Sequence, residues 1–223
     1  MMVHQRVPCS FITLLITTLL ATILQDSQKQ SLPPDTEETP ASIGILLDSS
    51  ASMRDKRDAA VEALKEFVKA SPPGDEFFVV NFNQNAYMDT NFTKDHKAVI
   101  EAFGHMDPQG GKAFNDAIVA SADHFREGAK NKKRAIVLVT NGIDKKSHSS
   151  YKTMLANLHQ TDMPAIYAIG LFDPVKAEQE RKDLDLLAQE TGGMTFYPKD
   201  QKQFNEMARQ ITQEIKSRNK LDN

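Results

Sequence analysis

Apolar residues form short continuous runs along the chain, separated by stretches with helical spacing. Four of the runs have the length of a strand and contain no charged residue; they lie at 42–47, 77–82, 135–140 and 165–172. Such runs are typical of strands that are buried on both faces of a sheet. Two less regular segments, 87–92 and 194–197, predict an edge strand and a last short strand.

The stretches between the runs have the apolar spacing of α-helices. Ala60, Leu64 and Phe67, for example, fall on one face of the first of them. Helices are predicted at 54–70, 94–103, 114–127, 151–159, 176–190 and 203–218. Strands that alternate with helices predict an α/β fold: a doubly wound, mostly parallel sheet with helices on both faces, as a three-layer sandwich.

The first 40 residues differ from the rest of the chain. An apolar run at 7–24 follows a short start that contains Arg6, which is typical of a secretory signal peptide. The run is also long enough for an uncleaved membrane anchor. Residues 25–40 are polar and contain prolines, which predicts a flexible linker. We therefore expect a secreted or periplasmic protein, with 1–24 as signal peptide or anchor, a domain at 41–218 and a short tail at 219–223.

Composition narrows the classes of function. The formal net charge is -3, whereas nucleic-acid binders carry a strong basic excess, so no nucleic-acid partner is expected. A membrane contact is expected only through an uncleaved first segment. The one cysteine, Cys9, lies in that segment, so the domain cannot form a disulfide, a zinc knuckle or a cysteine nucleophile.

Enzyme signatures are missing from the sequence. The six histidines form no H-E-x-x-H pair, and the chain has neither a G-x-S-x-G elbow nor a phosphate-binding P-loop. Ser50 as a nucleophile would need a base, and no histidine lies within residues 48–52, 110–117 or 139–144. We therefore expect a binding protein and not an enzyme.

Polar side chains follow the first predicted strand at alternate positions. Asp48, Ser50 and Ser52 form a D-x-S-x-S arrangement between a buried strand and a helix. Carboxylate and hydroxyl oxygens in such a loop suit Mg²⁺. The same residue types are common helix caps, so the motif alone leaves both interpretations open.

Two later loops make the chain resemble the von Willebrand factor A family, whose metal-ion-dependent adhesion site is built from three loops. The second loop reads GGKAFNDA, with Lys112 where the family has a threonine. The third reads VTNGID, with Asn141 where the family has an aspartate. The resemblance covers about 41–218 and implies a site that binds Mg²⁺ together with an acidic residue of a partner protein. It also implies that Asp116 supports the loops, and we expect it to act as a helix cap.

The two substitutions change the charge of the implied site. One carboxylate is lost and an ammonium is gained, so Asp48 and Lys112 balance without a metal, and a divalent cation beside Lys112 would be repelled. We expect the Lys112 ammonium to lie at the cation position, paired with Asp48 and next to Ser50 and Ser52. Two alternatives remain: Lys112 extends into solvent, or Mg²⁺ still binds through Asp48, Ser50, Ser52 and Asn141, with Asp144 helping through water.

The sequence thus predicts an exported protein–protein interaction module that needs no cofactor. Its site comprises Asp48, Ser50, Ser52, Lys112 and Asn141, with Lys112 meeting a carboxylate of the partner. Two alternatives stay open: an adhesion module with a weakened but working Mg²⁺ site, and a structural component of the cell envelope.

Overall fold

A six-stranded sheet forms the centre of the computed structural model, which describes residues 39–144, 146–173 and 175–218. Its strands are β1 (Ala41–Asp48), β2 (Glu76–Phe82), β3 (Ala86–Thr93), β4 (Lys133–Thr140), β5 (Ala165–Gly170) and β6 (Met194–Phe196). They are ordered β3-β2-β1-β4-β5-β6, and β2 with β3 is the one antiparallel pair among them.

Helices cover both faces of the sheet. They are α1 (Arg57–Ala70), α2 (His96–Ala102), α3 (Phe114–Gly128), α4 (Tyr151–His159), α5 (Glu178–Glu190) and α6 (Gln201–Ser217), with 3-10 helices at Ala51–Lys56 and Phe103–His105. The apolar residues of α1, α2 and α6 belong to one core layer, and those of α3, α4 and α5 belong to the other. The predicted doubly wound, mostly parallel α/β fold is confirmed.

Strand alternation explains why the centre of the sheet is apolar on both faces. Ile43, Ile45 and Leu47 point into the layer formed with α1 and α6, whereas Leu46 points into the other layer. Every residue of β1 is buried, which is what a continuous apolar run without alternation predicts.

Element boundaries differ from the predicted ones where loops meet the sheet. The helix predicted from residue 54 starts as a 3-10 helix at Ala51 and becomes α-helical at Arg57. The strand predicted at 165–172 ends at Gly170, because its pairing partner Thr140 is the last residue of β4. β3 is an edge strand in the structure, as predicted, with Tyr87 and Met88 exposed.

The predicted segments at 1–24 and 219–223 lie outside the described residues, as does most of the linker. Within the described ranges, no helix has the length and apolar composition needed to cross a bilayer.

The order of the strands creates a crevice at the carboxyl edge of the sheet. The chain passes from β1 to β2 and β3 on one side, and then returns to place β4 on the other side of β1. Ligands of open α/β sheets bind at such a switch point. Asp48 and Thr140 are the last residues of β1 and β4, so the loops after them share this crevice.

Candidate functional site

The carboxylate of Asp48 lies at the centre of the crevice and is fully buried. Its Oδ1 accepts a hydrogen bond from Ser50 N at 2.9 Å, and its Oδ2 accepts one from Thr140 Oγ1 at 2.6 Å. Neutral donors orient the carboxylate but leave its charge uncompensated, and a buried charge needs a counter-charge.

Lys112 supplies that counter-charge. Its Nζ lies 2.6 Å from Asp48 Oδ2, donates to Asn141 Oδ1 at 2.6 Å and lies 3.3 Å from Thr140 Oγ1. Only 7% of the Lys112 side chain is exposed. The lysine therefore points into the crevice and not into solvent, since there its charge is both neutralised and hydrogen-bonded.

The amide of Asn141 connects this ion pair to the serines. Asn141 Oδ1 also accepts from Ser52 Oγ at 3.0 Å, while Asn141 Nδ2 donates to Ser52 O at 2.7 Å. Ser50 Oγ lies 3.2 Å from Ser52 Oγ. An aspartate at 141 could not donate to Ser52 O and would add a second negative charge beside a single ammonium, so asparagine suits the lysine-containing site.

Backbone hydrogen bonds hold the three loops together around these side chains. The first loop (residues 48–52) joins the second (106–113) through Gln109 N to Ser49 O at 2.9 Å and Ala51 N to Gly110 O at 3.2 Å. The second joins the third (140–150) through Lys146 N to Lys112 O at 3.0 Å. The structure thus brings all five predicted site residues together in a hydrogen-bonded arrangement.

Two carboxylates of the neighbourhood stabilise the third loop. Asp116 accepts from the backbone N of His148 and of Ser149, each at 2.8 Å. Burial raises the pKa of Asp116, but these hydrogen bonds outweigh burial and lower it below its usual value. The expectation that Asp116 caps its helix is wrong, since it lies in the first turn of α3 and binds the loop across from it. Asp144 likewise accepts from Asn115 N at 3.2 Å.

Sequence reasoning missed the role of Thr140. This fully buried residue contacts both members of the ion pair and also reaches Gly142 O at 2.8 Å. A hydroxyl at the last position of an otherwise apolar strand was the available signal, because a buried hydroxyl must find a partner.

The residues present do not fit a bound Mg²⁺. Magnesium requires oxygen ligands at about 2.0–2.1 Å. The Lys112 ammonium already lies 2.6 Å from Asp48 Oδ2 and from Asn141 Oδ1, two of the oxygens that would serve as ligands. In the described ranges, no group of three or more His, Cys, Asp or Glu side chains is arranged to hold a metal.

The burial of Lys112 also corrects one expectation about the partner. With 5% of the residue exposed and its ammonium already paired, Lys112 is not available to meet a partner carboxylate at the surface. Ser52 is exposed and Asn141 is half-buried, so these residues form the accessible part of the site.

Comparisons with known proteins agree with this architecture. Residues 43–143, which include the whole site, match the family model of the von Willebrand factor type A domain. No curated protein matches the chain.

Solved structures share the fold at low sequence identity. A von Willebrand factor type A protein from Catenulispora acidiphila is 22% identical, with a TM-score of 0.63 over 79% of this chain and 43% of that protein. The chain thus spans less than half of that relative. The von Willebrand factor domain of the type V pilus tip protein Mfa5 from Porphyromonas gingivalis is 13% identical. Its TM-score is 0.66, over 83% of this chain and 99% of that one.

A third structure, the conserved hypothetical protein BatB from Bacteroides thetaiotaomicron, is 15% identical, with a TM-score of 0.64 over 78% of this chain and 98% of that one. Residues 43–143 thus match the family model of the von Willebrand factor type A domain, and the described domain has the fold of solved von Willebrand factor type A domains.

Proposed function

We propose that this domain is an exported protein-binding module whose site works without a divalent cation. The observation that carries the proposal is the Lys112 ammonium, 2.6 Å from Asp48 Oδ2 and 2.6 Å from Asn141 Oδ1. A positive charge is thus built into the crevice. The proposal assigns binding to the site and no catalytic step.

Charge balance supports the absence of a metal. The buried pair of Asp48 and Lys112 sums to zero, so nothing in the pair attracts a further cation. A cation that replaced the ammonium would have to move a buried lysine and would leave that charge without its partner, which is costly. It would also find one carboxylate and not the two that the family motif implies.

The hydrogen-bonded loops support a binding role. A rigid site loses little conformational entropy when a partner docks, which favours affinity. The accessible rim, with Ser52 and Gln109 exposed and Asn141 half-buried, offers hydroxyl and amide groups that both donate and accept hydrogen bonds. We therefore propose that the partner contacts this rim, while Lys112 orients Asn141 from beneath.

The relatives support an extracytoplasmic role. A domain of the same fold belongs to a pilus tip protein, and the apolar run at 7–24 of this chain has the pattern of an export signal. Both point to a partner outside the cytoplasm.

Capture of partners from an envelope extract by the immobilised full-length chain tests the proposal. We expect capture that persists in EDTA and is lost in Ser52→Arg, which places a bulky cation on the rim. Gln160→Arg is the matched control, because it adds the same group at an exposed position. Gln160 follows α4, which leads to the amino ends of the strands and so away from the site.

Each other outcome selects a different function. Release by EDTA would favour a Mg²⁺-dependent adhesion module with a weakened site. Capture that Ser52→Arg leaves unchanged would favour a structural envelope component that docks through its helices. A chain that captures nothing would contradict the binding proposal itself.

A further inference from the structure

A cavity of about 260 Å³ lies beside the site, between the third loop and helices α3, α4 and α5. Most of its wall is apolar and comes from Phe114, Ile143, Leu184, Leu186 and Leu187. Pockets that enclose drug-sized ligands measure roughly 300–1,000 Å³, so this smaller cavity suits one large side chain.

The walls belong to the segments that carry the site. Phe114 follows Lys112 by two residues, and Ile143 follows Asn141 by two. Asp144, also in the wall, is held by the backbone of Asn115 at the start of α3. The third loop is thereby attached to α3, and the cavity is formed before any ligand arrives.

Leu186 leaves part of this wall open to solvent. It is 46% exposed although it lies on α5 next to the buried Leu187. An apolar side chain that covered Leu186 would remove its surface from water, which favours binding.

The charged members of the wall are both acidic. Among the described residues that line the cavity, the charged ones are Asp144 and Asp183. Tyr151, which also lines it, has a raised pKa because of burial, a hydrogen bond to Glu190 and the charges of Glu190 and Asp183. The cavity is thus an apolar hollow within a negative field, which favours a ligand that is apolar at its tip and cationic beside it.

We infer that this cavity receives a leucine or aromatic side chain of a partner protein, with an adjacent lysine or arginine of that partner against Asp183 and Asp144. The inference rests on the proposed function and specifies the partner: a segment with a large apolar residue next to a basic one. It also gives the partner a contact on the α5 side of the rim formed by Ser52 and Asn141.

Short capped peptides titrated into the full-length chain test the inference. The probes are acetyl-Gly-Phe-Lys-Gly-amide, the same peptide with Glu in place of Lys, and the same peptide with Ala in place of Phe. Ligand-observed NMR reports the binding. We expect the Phe-Lys peptide to bind at least tenfold more tightly than either of the others.

Variants locate the binding. Leu186→Arg should abolish it, whereas Met88→Arg should not, because Met88 is equally exposed, at 46%, but lies on β3 at the far edge of the sheet. Asp183→Asn should bring the Phe-Lys and Phe-Glu peptides closer in affinity, since it removes one of the two carboxylates without changing the size of the side chain.

Equal binding of the three peptides, or binding that survives Leu186→Arg, would overturn the inference. The proposed function fails separately, because its readout is EDTA-resistant capture that depends on Ser52. If EDTA-resistant capture persists but the Phe-Lys peptide shows no preferential binding, the inference about the cavity is rejected and the proposed function is not.

Discussion

Lys112 Nζ and Asp48 Oδ2 lie 2.6 Å apart, and both side chains are almost completely removed from solvent. The ion pair links the second loop to the end of the first strand. Such a pair is costly to break by removing one partner, because the remaining charge stays buried.

Replacing Lys112 should therefore destabilise the domain more than a surface substitution would. We expect Lys112→Met to lower the free energy of unfolding by about 3 kcal/mol, because it leaves the Asp48 carboxylate without a cation. Urea denaturation measures the change. The double variant Asp48→Asn/Lys112→Met should lose less than the sum of the two single variants, and strictly additive losses would show that the pair is not coupled.

The same site should gain a metal when the family pattern is restored. We expect Lys112→Thr/Asn141→Asp to bind Mg²⁺, because it removes the ammonium and adds a second carboxylate. At a Mg²⁺ concentration 100 times the Kd, the free energy of unfolding of this variant should rise by about 2.7 kcal/mol.

Three matched proteins decide this prediction by isothermal titration with Mg²⁺ and Mn²⁺. Asn141→Asp alone should bind weakly or not at all, since Lys112 still lies at the cation position. The unaltered chain should give no heat of binding, and micromolar affinity in that chain would contradict the lysine-for-metal interpretation.

A close backbone contact makes Gly193 sensitive to substitution. A Cβ at this position would lie 2.0 Å from the backbone oxygen of Ile166, which no rotamer change can relieve. We expect Gly193→Ala to cost about 3 kcal/mol, the upper part of the usual range for overpacking. Gly104→Ala is the control, because a Cβ there meets no atom within 4 Å. Thermal unfolding should show a large drop in melting temperature for Gly193→Ala and no such drop for Gly104→Ala.

His124 should make stability depend on pH. Its ring stacks on Phe92 with centroids 4.8 Å apart, and its buried Nε2 has no hydrogen-bond partner among the described residues. Burial lowers the pKa of His124 below 6.5, while the charge of Glu127 opposes this shift. As the pH falls, His124 is therefore protonated in the unfolded chain before it is protonated in the folded one. Its contribution to the free energy of unfolding is fully present above pH 6.5 and is lost as the pH drops from there toward the lowered pKa of the folded state.

The measurement is the free energy of unfolding against pH, compared with His124→Phe. Phenylalanine keeps the stacked ring and removes the titrating group, so the slope just below pH 6.5 should become flatter. An unchanged slope would assign the pH dependence to other groups.

The chain order of apolar runs and helical stretches was sufficient to predict the fold. The runs that became most of β1, β2, β4 and β5 were visible because the middle of a strand that is buried on both faces is apolar. Boundaries were less accurate. The 3-10 helix at Ala51–Lys56 begins where Ala51 N donates to Gly110 O, and β5 ends at Gly170 where its partner strand β4 ends. Local periodicity reveals neither contact.

By itself, the sequence determined which residues follow the strands and what charges they carry. The expectation that Lys112 replaces a cation follows from those charges. Only the tertiary structure decided that its ammonium is buried against Asp48 and Asn141 and cannot meet a partner at the surface. A lysine side chain is long and flexible, so the packing of three distant loops selects its direction. The cavity against α5 also belongs to the tertiary structure, since its walls come from segments that only folding brings together.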